Sequence, residues 1–173
     1  GGVTTADLAA GAVTGPKLAA RSVGPDALNT PDAASLEAVA TIPTASGTNV
    51  AFAAPTGPSS FDTAGFFDPA TPGTVRTPRD GIYRLDVMAF FATNPIGYRQ
   101  INLTRTLPGP AISVGPLATS AAVVGADTTI GGTLLIRAGA GDEIRISVFQ
   151  DSGGNLTVAT SLGISYLGPP GIV

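Results

Sequence analysis

This 173-residue chain contains neither cysteine nor histidine, so it has no thiolate nucleophile and lacks the commonest general base. Ser152 stands between Asp151 and Gly153-Gly154, which is the sequence context of a catalytic serine. A serine nucleophile needs a base to take its proton, and histidine, the commonest such base, is missing. We therefore interpret residues 151–154 as a turn and predict no catalytic residue.

The carboxylates that could bind a metal ion are scattered along the chain. They are Asp62, Asp68, Asp80, Asp86, Asp127, Asp142, Glu143 and Asp151. A calcium site needs six or more oxygen atoms, and Asp142-Glu143 could supply some of them if it met Asp151-Ser152 at one end of a sandwich. Solvated turn residues are the favoured interpretation, so we predict no metal ligand and no cofactor. Nor is the paired carboxylate cleft of a glycan hydrolase indicated, and the protein is predicted not to be an enzyme.

The composition favours a protein that buries part of its surface against other subunits. Charged residues make up 12% of the chain and hydrophobic residues 43%, and the mean hydropathy is +0.33. No apolar run approaches the roughly 20 residues that span a bilayer, so no membrane insertion is expected. The net charge of −3 provides no basic surface for nucleic acid, which we exclude as a partner.

From about Thr44 onward, short β-rich runs are separated by Gly, Pro, Asn and Asp. Ile82–Ala92 is the clearest strand, because every second residue from Tyr83 to Phe91 is apolar. Further strands are predicted at Asn49–Ala53, Phe61–Phe67, Thr74–Pro78, Tyr98–Leu107, Thr129–Arg137, Glu143–Gln150, Leu156–Thr160 and Leu162–Leu167. This series of short strands, with no interior helix, indicates an all-β antiparallel sandwich or jelly roll.

Residues 1–30 contain three copies of a ten-residue unit, each with a valine followed five positions later by a leucine. Two apolar anchors per unit are too few to bury alone, so neighbouring chains are expected to supply the buried surface. The repeat therefore predicts a trimeric stalk. Its expected core residues are Val3, Leu8, Val13, Leu18, Val23 and Leu28, followed by Leu36 and Val39 in the next segment.

Residues 31–43 are predicted to form a short helix and linker. Thr30 would be its N-cap, Pro31 fits the first helical position, and Asp32 favours the positive end of the dipole. In a helix, Leu36 and Val39 would share one face. So short a helix is unstable alone, and packing around a three-fold axis is expected to stabilise it.

Several motifs occur in order along the β-rich part. Thr77-Pro78-Arg79-Asp80-Gly81-Ile82-Tyr83 begins the first long strand, Gly141-Asp142-Glu143-Ile144 and Val148-Phe149-Gln150 come late, and Ser165-Tyr166-Leu167-Gly168 closes the series. Together they resemble the C1q-like globular domain of the C1q and tumour-necrosis-factor (TNF) superfamily. The resemblance implies a C1q/TNF-like jelly-roll head over residues 44–168, with residues 169–173 as a tail.

The resemblance also implies a homotrimer whose heads pack their apolar faces around a three-fold axis. The residues expected in the head core or the subunit interface are Phe67, Tyr83, Leu85, Val87, Phe90, Phe91, Ile101, Leu103, Ile144, Ile146, Val148 and Tyr166. Loops at Thr93–Tyr98, Pro108–Pro116 and Ala118–Asp127 are expected contact surfaces, although their composition identifies no ligand-binding residue.

The ten-residue units also resemble segments of tailed-bacteriophage fibre and appendage proteins. They imply a trimeric tail fibre, receptor-binding tip or capsid-decorating fibre on the virion surface, which attaches multivalently to a host-surface glycan or protein. The expected partners are copies of the same chain and, through the stalk, other virion proteins. The alternative is a C1q-like ligand-binding module on the surface of an actinobacterium or secreted from it.

Overall fold

The computed structural model describes residues 31–106 and 111–170. The ten-residue repeat lies outside the described residues, and with it the predicted stalk positions. These positions are Val3, Leu8, Val13, Leu18, Val23 and Leu28. In the part of the chain that is described, no helix is long and apolar enough to cross a membrane.

Strands account for most of the described chain. They are β1 (Ala33–Ile42), β2 (Ser46–Asn49), β3 (Phe61–Asp62), β4 (Val75–Arg76), β5 (Gly81–Phe91), β6 (Tyr98–Thr106), β7 (Ala111–Ala121), β8 (Thr128–Ala138), β9 (Glu143–Gln150) and β10 (Leu156–Gly168). The first sheet has the order β3-β1-β10-β5-β8, and the second has the order β2-β9-β6-β7 with β4 also beside β9. Their paired strands run antiparallel, so the predicted all-β antiparallel sandwich is confirmed.

The core lies between the two sheets and is built by alternate residues of the long strands. In β5, Tyr83, Leu85 and Val87 are at most 1% exposed, whereas Arg84 and Met88, on the other face of the strand, are exposed. Strands β6 and β9 supply the facing layer in the same way, since side chains alternate between the two faces of a sheet. Burial of this apolar surface is the main favourable term for folding the domain.

The segment predicted to be a helix is the strand β1, and that prediction is wrong. Leu36 is fully buried in the head core, whereas Val39 is 74% exposed on the opposite face of the strand. The alanines of this segment favour a helix, but a helix of so few residues gains little stability from its own hydrogen bonds. As a strand, the segment pairs with β10 along its whole length, from Ala33 opposite Ser165 to Ile42 opposite Leu156. Residues 33–42 therefore belong to the head.

Other predicted boundaries also change. The two strands predicted at Leu156–Thr160 and Leu162–Leu167 form the single strand β10, and those predicted at Phe61–Phe67 and Thr74–Pro78 shorten to β3 and β4. The strand predicted at Asn49–Ala53 is wrong beyond Asn49, because β2 precedes it at Ser46–Asn49. Strand β7 occupies much of the segments 108–116 and 118–127, which were predicted to be loops. It was missed because Gly115 and Pro116 interrupt its pattern, and its register with β6 shifts beside them.

The sandwich has two ends, which we name by their loops. The Pro31 end carries Pro31 itself and the segments 77–80, 139–142 and 169–170. The far end carries the segments 43–45, 92–97, 122–127 and 151–155. The chain therefore enters the head at one end, and the segments that join β1 to β2, β5 to β6, β7 to β8 and β9 to β10 lie at the other.

Candidate interaction surface

The carboxylates considered as metal ligands do not come together. Asp142 and Asp151 flank the eight-residue strand β9, so about 25 Å of strand separates them, and the expectation that they could meet is wrong. Asp142 is 2% exposed and accepts hydrogen bonds from the Gly139 backbone N–H (2.8 Å) and from Arg105 Nε (3.0 Å). Among the described residues, no group of three or more acidic side chains could hold a metal ion.

Ser152 has the environment of a turn residue. Its backbone N–H donates to Gln150 Oε1 (2.8 Å), and its hydroxyl donates to the Gly154 carbonyl (3.2 Å). The Gln150 side chain is itself buried and donates to the carbonyls of Ile42 (3.1 Å) and Gly154 (2.7 Å). These bonds fix the loop between β9 and β10 at the far end.

Most residues predicted for the core or the interface lie between the sheets. The buried ones are Tyr83, Leu85, Val87, Phe91, Ile101, Leu103, Ile144, Ile146 and Val148. Phe67 and Tyr166 are half-buried against the core. Phe90 is different, because it is 43% exposed on the outer surface of the first sheet.

The outer surface of the first sheet carries several exposed apolar side chains among charged and polar ones. We call it the β10 face, since β10 runs along its middle, where its outward residues from Ala159 to Ser165 are all small. Large apolar side chains stand around this strip: Val39 is 74% exposed, Met88 44% and Leu135 60%. Phe90 pairs directly with Ala159, so its ring borders the strip.

Two shallow cavities open on the β10 face. One has a volume of about 210 Å³ and lies among Glu37, Val39 and Phe90. The other, of about 360 Å³, lies beside Met88, where Gly131 leaves the outer side of the edge strand β8 without a side chain. Exposed apolar side chains grouped in this way are typical of a contact surface.

A small polar cluster sits within the β10 face. Asp86 accepts a hydrogen bond from the Thr133 hydroxyl (2.6 Å) and forms an ion pair with Arg84 (2.9 Å). The Thr133 hydrogen bond, helped by Arg84, holds the pKa of Asp86 below its usual range. Asp86 therefore stays ionised and partnered within its own protomer, which limits the cost of covering it.

A second cluster fixes the Pro31 end. Arg79 pairs with Asp32 just before β1, and its guanidinium lies over the Tyr166 ring at 4.4 Å. The hydrogen bond to Asp32 raises the pKa of Arg79, so this cation is permanent. Thr63 adds a hydrogen bond from its hydroxyl to the Pro31 carbonyl (2.7 Å). The first described residues are thus tied to the body of the head.

Arg99 fixes the loop at the far end, and sequence reasoning missed this role. It is fully buried, and its guanidinium donates to the carbonyls of Asn94 (3.0 Å), Ile96 (3.0 Å) and Tyr98 (3.1 Å). Burial lowers the pKa of Arg99, and the charge of Asp151 opposes that shift. The alternation of β6 contained the signal, because Arg99 shares the inward face with Ile101 and Leu103.

Solved structures with the same architecture are C1q and TNF-type domains. The globular domain of zebrafish complement 1qA protein aligns with a TM-score of 0.60 at 15% identity, over 82% of this chain and 100% of that one. Eiger TNF from S. frugiperda aligns with a TM-score of 0.54 at 13% identity, over 83% and 97%. Murine APRIL aligns with a TM-score of 0.54 at 14% identity, over 78% and 99%.

At the level of sequence, no protein-family model and no curated protein matches this chain. The structural likeness extends over nearly the whole length of each of these domains and most of this chain. Together with the strand order, it identifies the architecture. The chain therefore has the C1q/TNF-like jelly-roll fold that its motifs predicted.

Proposed function

We propose that this protein is a non-enzymatic homotrimeric binding head, in which the β10 face of each protomer is buried against its neighbours. The observation that carries the proposal is the apolar character of that face. Val39, Met88, Phe90 and Leu135 are all at least 43% exposed in the single chain, around a strip of small residues on β10. A strip without bulky side chains lets a neighbouring surface approach the sheet closely.

Three further features support the trimer. Charged residues make up only 12% of the chain, fewer than a fully solvated surface normally carries. C1q and TNF-type domains share its fold, and the motif resemblance implies trimers. The ten-residue repeat also needs neighbouring chains to bury its valines and leucines.

We further propose that the repeat is a stalk and that the far end of the head meets the ligand. The repeat joins the head at Pro31, so the opposite loops are the ones that face away from the attachment point. Three heads on one axis raise avidity without a tight single site. This arrangement suits multivalent attachment to a surface.

The proposed location is the virion surface of a bacteriophage, as a tail fibre, receptor-binding tip or capsid-decorating fibre. Its support is the resemblance of the ten-residue units to phage fibre segments. The alternative is a bacterial cell-surface or secreted C1q-like module. Portal, capsid or tail genes beside the coding gene favour the virion, and a signal peptide encoded upstream favours the bacterium. A cryo-EM image of the intact particle would locate the fibre directly.

The trimer is tested by the mass in solution. At micromolar concentration, light scattering should give three times the 17.1 kDa mass of the chain. Phe90→Arg places a cation beside Ala159 in the proposed interface, in the cavity that Glu37 also lines. We expect it to produce the monomer, because burying this pair of charges costs several kcal/mol of desolvation.

The matched control is Tyr98→Arg, which changes an aromatic residue of similar exposure on the second sheet. It should remain a trimer. A monomeric wild-type protein would refute the proposal, and a trimeric Phe90→Arg variant would show that another surface holds the chains together.

A further inference from the structure

The outer surface of the second sheet has a different chemistry from the β10 face. Near the far end, β6 and β9 place five residues together, which we call the aromatic–amide patch: Tyr98, Gln100, Asn102, Ser147 and Phe149. Gln100 lies directly opposite Phe149 in the pairing of the strands, and Asn102 lies directly opposite Ser147. The patch is thus a compact group on a rigid sheet.

Two aromatic rings form one side of the patch. Tyr98 and Phe149 are stacked, with ring centroids 5.2 Å apart and planes inclined by 27°. Tyr98 is 39% exposed. On the other side of Phe149, the paired residue is Gly47, where an added Cβ would meet no atom within 4 Å. The rings therefore border open space at the level of the sheet surface.

Two side-chain amides form the other side. Gln100 and Asn102 are half-buried, and neither side chain has a hydrogen-bond partner among the described residues. Each amide offers two donor hydrogens and an acceptor oxygen. Ser147 adds a hydroxyl in the same row as Asn102. The patch therefore presents unused donors and acceptors beside a flat apolar surface.

The patch itself carries no formal charge. Charged side chains among the described residues of this sheet lie at the margins of the patch. Arg145 binds Glu143 (3.0 Å) and the Thr74 hydroxyl (3.2 Å). Asp151 accepts the backbone N–H of Tyr98. An anionic ligand would find no free cation beside the patch, since Arg145 is already paired, so the chemistry favours an uncharged ligand over an anionic one.

We infer that the aromatic–amide patch binds a neutral oligosaccharide, in support of the attachment role proposed above, on which this inference rests. A hexose ring has one face of C–H groups, which packs on an aromatic ring, and a rim of hydroxyls. Each hydroxyl both donates and accepts, as the amides of Gln100 and Asn102 do. A few such contacts give weak binding at one site, which three sites on one particle convert into firm attachment.

The patch remains accessible in the proposed trimer. It lies on the second sheet, whereas the β10 face is the outer surface of the first. All five residues also belong to one protomer, so the site needs no residue from a neighbour. Oligosaccharide binding can consequently be measured whether or not the chains associate.

The test uses the full chain and defined oligosaccharides. Cellohexaose, maltohexaose, mannohexaose and galactohexaose serve as neutral probes, and hexagalacturonate serves as the charged comparison. We expect at least one neutral probe to bind with a Kd near 1 mM, on the order of a few weak contacts. It should shift the side-chain amide NMR signals of Gln100 and Asn102. Tyr98→Ala and Gln100→Ala should each weaken binding about tenfold.

Three further variants separate binding from folding. Tyr98→Phe keeps the ring and should bind within about twofold of the wild type. Gly47→Leu places a side chain in the space beside Phe149, at a position where a Cβ meets no atom within 4 Å, so it should weaken binding even if Tyr98→Ala does not fold. Val124→Ala, which trims a residue 81% exposed in a far-end loop, should bind normally.

The inference is overturned if no neutral probe binds at about 10 mM, if hexagalacturonate binds as tightly as the best neutral probe, or if the patch variants bind normally. A trimeric mass with no sugar binding would reject the patch and leave the trimeric head standing. A monomeric mass with sugar binding would reject the trimeric head and leave the patch standing.

Discussion

Tyr83 joins the core of the sandwich to its Pro31 end. Its ring contacts Phe66 edge-on, with centroids 6.1 Å apart, and Tyr166 at 5.4 Å. Its hydroxyl donates to the Arg79 carbonyl (2.6 Å), and Arg79 holds Asp32 at the start of the head. One buried phenol therefore supports both the aromatic cluster and the loop that carries Arg79.

Replacing Tyr83 with Phe should lower the free energy of unfolding by about 1 kcal/mol, because the Arg79 carbonyl loses its partner while the ring stays packed. Burial raises the pKa of Tyr83, so the native state keeps its proton at a pH where the unfolded chain loses it. The stability from this shift is complete below about pH 10 and falls as the pH rises through the raised pKa.

Urea unfolding between neutral and alkaline pH measures both effects of Tyr83→Phe. The variant should be less stable than the wild type at neutral pH and should lose less stability on going to high pH. An absorbance titration of the phenolates adds a direct check, since Tyr83 of the wild type should ionise at a pH above the usual range of a tyrosine. Equal alkaline losses for both proteins would contradict the role given to Tyr83.

At the scale of the element, the start of β5 depends on close packing against Gly81. Gly81 pairs with Ala138, and a Cβ added to it would lie 2.1 Å from the Tyr166 ring and 2.7 Å from the Gly168 carbonyl oxygen. Strand β10 has a register shift at the same place, between Tyr166 and Gly168. Gly81 thus allows the two strands to pass each other closely.

Gly81→Ala should reduce the free energy of unfolding by about 2 kcal/mol, because neither the ring nor the backbone can move away without disturbing the strand pairing. Gly47→Ala is the control within the other sheet, since its Cβ would meet nothing within 4 Å. It should change stability by less than about 0.5 kcal/mol. Chemical denaturation of both variants measures the difference, and equal stabilities would refute the packing argument.

The sequence was sufficient to predict the strands in which apolar and polar residues alternate. It was not sufficient for segments that become strands only because they pair with another part of the chain. Strand β5 was evident because one face runs from Tyr83 to Phe91 without a polar residue. Strand β1 was not, because Ala33-Ala34 and Ala38 suit a helix and only the pairing with β10 makes the segment a strand. Strand β7 was hidden by Gly115 and Pro116. Local propensity is a weak guide at such positions.

At the scale of the whole molecule, the candidate surfaces depend on register between distant strands. The alternation of Tyr98, Gln100 and Asn102 is visible in the sequence, but their apposition to Phe149 and Ser147 is not. In the same way, the β10 face combines Val39 with Phe90 across the strand that contains Ala159. The sequence predicted Phe90 for the head core or the interface, and only the fold brings Val39 beside it.

Leu18→Asp tests how the repeat and the head depend on each other. We expect this charge to loosen the predicted stalk, so residues 1–30 should be cut faster by protease, while light scattering still gives the trimeric mass. The reason is that the proposed trimer contacts lie on the β10 face of the head. A monomeric variant would show that the repeat is the element that holds the chains together.

The direct passage of the chain from Pro31 into β1 has a mechanical consequence. Strand β1 lies inside the first sheet, between β3 and β10, and its ten residues all pair with β10. A head held at its far end by a ligand and pulled through Pro31 is loaded lengthwise along these strands. Their hydrogen bonds then resist together, in shear, instead of opening one after another like a zip. We therefore expect the head to withstand a pull through its N-terminus better than a pull across its sheets.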